Sequence, residues 1–177
     1  LYAGPCRPFT PDPTSVFALH DDFDTLDTTT RWDLNGPAVV EDGVLLMDAV
    51  GSLISRVHYP EGFGIQFKAR ATDGDVEFWG GFQRAGDHVD QPPYVLWIER
   101  TPWPDQVFAE CHLRGESMWV GDRYPRDDQW HTYRVERFLD HTDFYRDGEF
   151  MIRYDHRDWS DPLQARLHVD DDPPAVY

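Results

Sequence analysis

Short segments of alternating apolar and polar residues, separated by glycine, proline and aspartate, run through the chain from residue 16 to residue 170. About eleven such segments are present, and each has the length and the period-two pattern of a β-strand. The dipeptides Asp42-Gly43 and Asp147-Gly148 lie inside such runs and favour tight hairpin turns. No window carries the 3.6-residue apolar repeat of a ten-residue amphipathic helix. The pattern therefore predicts an all-β chain, an antiparallel sandwich or barrel.

Length and charge narrow the classes of protein that this chain can belong to. Its 177 residues are the usual size of one domain, and 40% of them are hydrophobic, enough for a core. We predict an irregular arm over residues 1–15, which contain four prolines, and a single domain over 16–177. No apolar stretch is long enough to span a bilayer. The net charge of −17 opposes binding to nucleic acid or to anionic membranes, so neither is expected as a partner.

The segments 94–100 and 106–114 allow a prediction of strand register. If they form a hairpin centred between Trp103 and Pro104, Trp97 lies opposite Glu110 and Val95 lies opposite His112. Side chains alternate across a strand, so one face carries a mixed polar and aromatic set and the other face is apolar. The apolar set is predicted to be core: Leu96, Ile98, Val107, Ala109 and Leu113. The mixed set is predicted to face away from it: Val95, Trp97, Glu99, Phe108, Glu110, His112 and Arg114.

The preceding segment, residues 75–84, divides in the same way. Phe78, Gly80 and Phe82 form an apolar side, whereas Glu77, Trp79 and Gln83 form the other side. Trp119 on the following segment extends the predicted polar and aromatic face. A face that combines indoles with carboxylates and amides suits a sugar, because sugar rings stack on indoles and sugar hydroxyls need polar partners. The alternative is that loops cover this face and bury its tryptophans as a second core.

Several stretches of the chain resemble a known superfamily. The opening run from His20 to Trp32, the hairpin that follows it, and the runs 130–137 and 144–150 are similar to landmarks of concanavalin A-like lectin/glucanase domains. Laminarinase-type glycoside hydrolases and laminin-G-type modules share these landmarks, and the resemblance covers roughly residues 16–177. It implies a jelly roll of two antiparallel sheets with a concave face that binds saccharide. The Glu-x-Asp-x-Glu pattern of the laminarinase-type enzymes is absent, so no catalytic role is transferred from them.

These observations lead to a set of candidate residues and to more than one function. A glycoside hydrolase acting on a neutral glycan needs paired carboxylates, and Glu110 is the preferred acid because burial beside an indole would raise its pKa. The same face without chemistry would be a carbohydrate-binding module, and a lyase, isomerase or cyclase would use it for a small molecule. The candidate catalytic residues are Glu110, His112, Glu99 and Glu77. The candidate ligand-binding residues are Trp79, Gln83, Trp97, Arg114 and Trp119.

The sequence predicts no cofactor and no catalytic metal, because the histidines lack ligand spacing. Solvated carboxylates are the expected state of the acidic loops 21–24 and 170–172, with structural Ca²⁺ as the alternative. Cys6 and Cys111 permit one disulfide, and their spacing matches no zinc motif. The chain begins at Leu1 and has no signal-peptide hydrophobic region, and we expect an extracellular or exported protein.

Overall fold

The structure is a computed structural model that describes residues 23–47, 51–70, 77–84, 94–100, 106–113, 116–125, 129–156 and 160–170. Thirteen strands and no helix occur within these ranges, which confirms the all-β prediction, although the pattern indicated about eleven strands. The predicted arm at residues 1–15, Cys6, Arg114 and, from the two acidic loops, residues 21–22 and 171–172 lie outside the described residues.

All the strands are short, and the longest has ten residues. In chain order they are β1 (Trp32–Asn35), β2 (Val39–Glu41), β3 (Val44–Leu46), β4 (Gly51–Tyr59), β5 (Gly64–Ala69), β6 (Glu77–Gln83), β7 (Tyr94–Arg100), β8 (Gln106–Leu113), β9 (Glu116–Pro125), β10 (His131–Arg137), β11 (His141–Arg146), β12 (Glu149–Asp155) and β13 (Leu163–Asp170). Every pairing between them is antiparallel.

The strands form two large sheets and one small hairpin. The larger sheet has the order β1-β4-β13-β6-β7-β8-β9, and the second has the order β12-β11-β10-β5. The third is the hairpin β2-β3 around Asp42-Gly43. Both residues of that turn have positive φ, 52° and 72°, and Asp147-Gly148 has the same signature at 53° and 84°. Both hairpins predicted from Asp-Gly are therefore confirmed.

The core lies between the two large sheets and is rich in aromatic rings. Phe67 on β5 stacks on Tyr133 of β10, with ring centroids 5.4 Å apart, and meets the edge of Phe78 on β6 at 6.4 Å. Phe82 and Phe144 are also fully buried there. Gly80 on β6 lies against the Phe67 ring, so closely that a Cβ at this position would overlap it. The side of β6 that carries Phe78, Gly80 and Phe82 is thus the core side, as predicted.

The predicted register of β7 and β8 is wrong by one residue. Arg100 pairs with Gln106, Leu96 pairs with Glu110, and Trp97 pairs with Ala109. The observed pairs are symmetric about position 103, whereas the prediction placed the centre between positions 103 and 104. Because side chains alternate, a slip of one residue transfers a whole strand to the other face.

Only β7 changes face as a result. Its pairing with β6 places Trp97 opposite Gly80, and Glu99 opposite Phe78, on the core side of the sheet. Leu96 and Ile98, predicted as core, lie instead on the face away from the second sheet. The predicted faces of β6 and β8 agree with the observed pairings, so Glu110 and His112 remain on the side that carries Trp79.

Candidate functional site

A cluster of polar side chains lies on the face of the larger sheet that is turned away from the core. On β13, Leu167 and Val169 pair with Gly80 and Phe78 and belong to the core side. The alternate residues therefore belong to the opposite side. We call this cluster the polar face, and it consists of Ser52, Trp79, Gln83, Arg166 and His168. These residues come from β4, β6 and β13, three adjacent strands.

Arg166 is at the centre of the polar face. Its Nη1 donates a hydrogen bond of 2.7 Å to Gln83 Oε1, and its Nη2 donates one of 3.2 Å to Ser52 Oγ. Arg166 is 4% exposed, and Gln83 and Ser52 are each 1% exposed. Nε of Arg166 is buried and has no hydrogen-bond partner among the described residues. The cluster thus holds a buried cation between two neutral acceptors.

The polar face also pairs an indole with an imidazole. The Trp79 and His168 rings meet edge to face, with centroids 6.0 Å apart and planes at 75°. Burial, and to a lesser extent the charge of Arg166, lower the pKa of His168 to about 4. His168 is therefore neutral at pH 7, and Arg166 carries the charge of the polar face.

Strand β13 is held in place beside β4 by a polar clamp next to a register shift. Gln164 Nε2 donates a hydrogen bond of 2.6 Å to the Ser55 carbonyl oxygen, and the Ala165 amide donates one of 2.9 Å to Ser55 Oγ. The β13–β4 pairing shifts between Gln164 and Arg166. Ladders that shift in this way re-aim the residues that follow. The clamp fixes the strand at the point where Arg166 enters the polar face.

Solvent reaches the margin of this buried cluster. Trp79 is only partly buried, and so is Ile54, which lies opposite Arg166 on β4. Gly81, opposite Arg166 on the other neighbouring strand, contributes no side chain. Arg166, at the centre of the polar face, is therefore buried next to residues that are themselves partly exposed to solvent.

The structure brings together some of the predicted site residues and separates others. Trp79 and Gln83 lie in the polar face. Strand pairing puts Glu110 across from both Leu96 and Trp119, so Glu110 and Trp119 share the side of the sheet on which Trp79 lies. Glu77, His112 and Trp119 also fall on that side by alternation. Trp97 and Glu99 fall on the core side, and Arg114 lies outside the described residues.

Arg166, His168 and Ser52 are absent from the sequence-based prediction. A signal for two of them was available, because Gln164, Arg166 and His168 alternate with apolar residues along β13 as cleanly as the residues of β6 alternate. What the pattern does not contain is the position of β13 between β4 and β6. That placement joins residues more than 80 positions apart.

Within the described residues, no group of three or more histidine, cysteine, aspartate or glutamate side chains is arranged to hold a metal ion. The same residues include no helix of the length and hydropathy that crossing a membrane requires.

Comparison with solved structures places the fold. An endo-acting O-glycanase of the human gut microbiota matches with a TM-score of 0.64 and 18% identity, over 85% of this chain and 83% of that chain. The κ-carrageenase of Pseudoalteromonas carrageenovora, in complex with an oligotetrasaccharide of κ-carrageenan, matches with a TM-score of 0.59 and 16% identity, over 87% and 80%. The carbohydrate recognition domain of Emp46p, in its potassium-bound form, matches with a TM-score of 0.60 and 14% identity, over 85% and 87%.

No family model and no curated protein sequence matches the chain. The structural matches show that the chain has the concanavalin A-like jelly-roll fold implied by the sequence resemblance.

Proposed function

We propose that this protein binds a saccharide on the polar face and the partly exposed residues of the sheet beside it. The observation that carries the proposal is the contact of a partly exposed indole, Trp79, with a hydrogen-bonded group of polar side chains around Arg166. A sugar ring needs an apolar surface for its C–H groups and polar groups for its hydroxyls. The names of the structural neighbours, two glycan-degrading enzymes and a carbohydrate recognition domain, support this class of ligand.

Binding without hydrolysis is the form of the proposal that the strand pairing favours. Hydrolysis needs two carboxyl groups about 5–5.5 Å or 6.5–9.5 Å apart. Of the three candidate glutamates, Glu99 lies on the core side. The pairings place Glu77 and Glu110 two strands and four residues apart, which separates their Cα atoms by roughly 16 Å. These two are therefore a poor match for a catalytic pair.

The test of binding replaces Trp79 by alanine. Loss of the indole should weaken binding of neutral and acidic oligosaccharides, measured by titration calorimetry, by roughly 1–3 kcal/mol, the scale of one buried aromatic side chain. Trp130→Ala is the matched control, because Trp130 is a partly exposed tryptophan next to β10 of the other sheet, under Lys68 and Arg70. The control should bind like the wild type.

Two results would contradict the proposal. If no oligosaccharide gives heat with the wild type and Trp79→Ala unfolds the domain, the polar face is a covered second core. If Glu110→Gln abolishes the release of reducing ends from a bound oligosaccharide, the protein is a hydrolase and the purely binding form of the proposal is wrong.

A further inference from the structure

The guanidinium of Arg166 is a buried charge without a buried counter-charge among the described residues. Its two hydrogen-bond acceptors, Gln83 Oε1 and Ser52 Oγ, are neutral. Each described ion pair of an arginine, such as Arg56–Asp33 or Arg153–Asp143, has a carboxylate at 2.7 to 3.9 Å and an arginine side chain that is more than a third exposed. Arg166 is the reverse case, 4% exposed and held by neutral groups.

Burying a cation costs free energy unless the cation is paired. An anion that reaches the Arg166 guanidinium would therefore be bound favourably. The geometry of the bonds shows where an anion would approach. Nη1 is engaged by the short bond to Gln83, whereas the bond from Nη2 to Ser52 is long and Nε has no partner among the described residues. Nε and Nη2 lie on one edge of the planar guanidinium, and that edge can donate two parallel hydrogen bonds to one carboxylate or sulfate.

We infer that Arg166, held by Gln83 and Ser52, is a subsite for an anionic substituent of the saccharide, a uronic acid carboxylate or a sulfate ester. The inference rests on the proposed function, since the anion arrives as part of a sugar bound beside Trp79. It differs from the expectation of a neutral glycan, which follows from the net charge. The chain's charge of −17 acts at long range and is screened by salt, whereas the guanidinium acts at contact distance.

The test compares pairs of ligands that differ only in the anion. Trimers of galacturonic, glucuronic and mannuronic acid are titrated beside their carboxyl-reduced counterparts of the same linkage, and galactose trimers are titrated with and without sulfate esters. The measurements are made at about 150 mM salt, where the Debye length is about 8 Å. At least one acidic member should bind about tenfold or more tightly than its neutral partner. The uronate or the sulfate pair that responds identifies the anion.

Two variants test whether Arg166 causes the preference. Arg166→Gln removes the charge, and Gln83→Glu places a carboxylate of the chain itself 2.7 Å from the guanidinium, where it competes with the ligand's anion. In both variants the ratio of acidic to neutral affinity should fall to about one. Because the ratio is taken within one variant, retained binding of the neutral partner shows that the face is intact. Arg134→Gln, the matched loss of one charge on the other sheet, should leave the ratio unchanged.

The outcomes separate this inference from the proposed function. Equal binding of acidic and neutral partners to the wild type overturns the anionic subsite and leaves saccharide binding standing. A preference for the acid that survives in Arg166→Gln or Gln83→Glu also overturns it, because the anion is then held elsewhere. If the wild type binds none of the trimers, both the anionic subsite and the proposed saccharide binding are overturned.

Discussion

Two buried arginines show how the same side chain serves different purposes. Arg137 on β10 is fully buried, and its Nη atoms donate to the carbonyl oxygens of Tyr59 and Asp161. These partners are backbone groups on two other segments, so Arg137 ties those segments to the second sheet. Burial lowers its pKa to about 10, against the opposing charges of Glu61 and Asp161. Arg166 instead donates to side chains of the polar face, and its charge is the one that the proposed anionic subsite would use.

His168 predicts a pH dependence of stability. Its pKa is lowered to about 4 in the folded state from 6.5, chiefly by burial, so the unfolded chain binds the proton more tightly. The contribution of the neutral, buried His168 to the free energy of unfolding is therefore fully present above pH 6.5. It is lost as the pH falls from 6.5 to 4, by up to about 3 kcal/mol. Urea unfolding at half-unit steps of pH measures the effect.

The control for this pH dependence is His168→Gln, which cannot take up the proton. The difference in unfolding free energy between the wild type and this variant should change between pH 6.5 and 4 and stay constant above pH 7. A constant difference throughout would show that His168 titrates normally in the folded protein.

At the scale of elements, the two large sheets approach closely where β5 packs against β6. Phe67 occupies the space over Gly80 and touches Phe78 and Tyr133, one from each sheet. Glycine is required at position 80 because the ring takes the volume that a side chain would use. Trp79 and Gln83 of the polar face lie on the reverse side of this same strand.

Gly80→Ala should destabilise the sandwich by about 1–3 kcal/mol, because the new methyl group overlaps the Phe67 ring. Phe67→Leu in the same chain should restore part of that loss, and the coupling in a double-mutant cycle measures the contact. Gly148→Ala is the comparison, because at that turn nothing lies within 4 Å and only the φ of 84° is costly. The destabilisation caused by Gly148→Ala should be the same whether position 67 is Phe or Leu. An additive cycle for Gly80 and Phe67 would refute the contact.

On the scale of the whole molecule, the dominant feature is an excess of 33 acidic over 16 basic residues in a chain of 177. Such a surface repels itself, and the described ion pairs are mostly exposed and individually weak. The jelly roll confines these charges to a compact volume. The stability of this protein is therefore expected to increase with ionic strength, whereas the stability of a protein held by surface salt bridges would decrease.

Raising NaCl from about 10 mM to about 150 mM should raise the melting temperature, because the Debye length falls from about 30 Å to about 8 Å and screens the repulsion. Choline chloride at the same ionic strength should have the same effect. CaCl₂ at matched ionic strength tests the structural calcium considered for the acidic loops, since a bound ion would add a further rise. A melting temperature that falls with NaCl would show that attractive pairs outweigh the repulsion.

The amino-acid sequence by itself determined the features that depend on neighbours along the chain. Period-two alternation assigned the correct sides of β6 and β8, and the Asp-Gly turns located two hairpins, because each depends on a few consecutive residues. The resemblance added the jelly roll. Alternation states which residues of one strand share a side, but it contains no information about which side faces a partner.

Only the tertiary structure decided the register of β7 and the neighbours of β13. Trp97 changes face because it pairs with Gly80 and Ala109, and the sequence could not decide this since both alternating sets of β7 contain large apolar residues. The polar face likewise exists because β13 lies between β4 and β6, which brings Ser52 and Gln83 to Arg166 from 114 and 83 positions away. Such contacts result from the packing of the whole sheet, and no local pattern of residues specifies them.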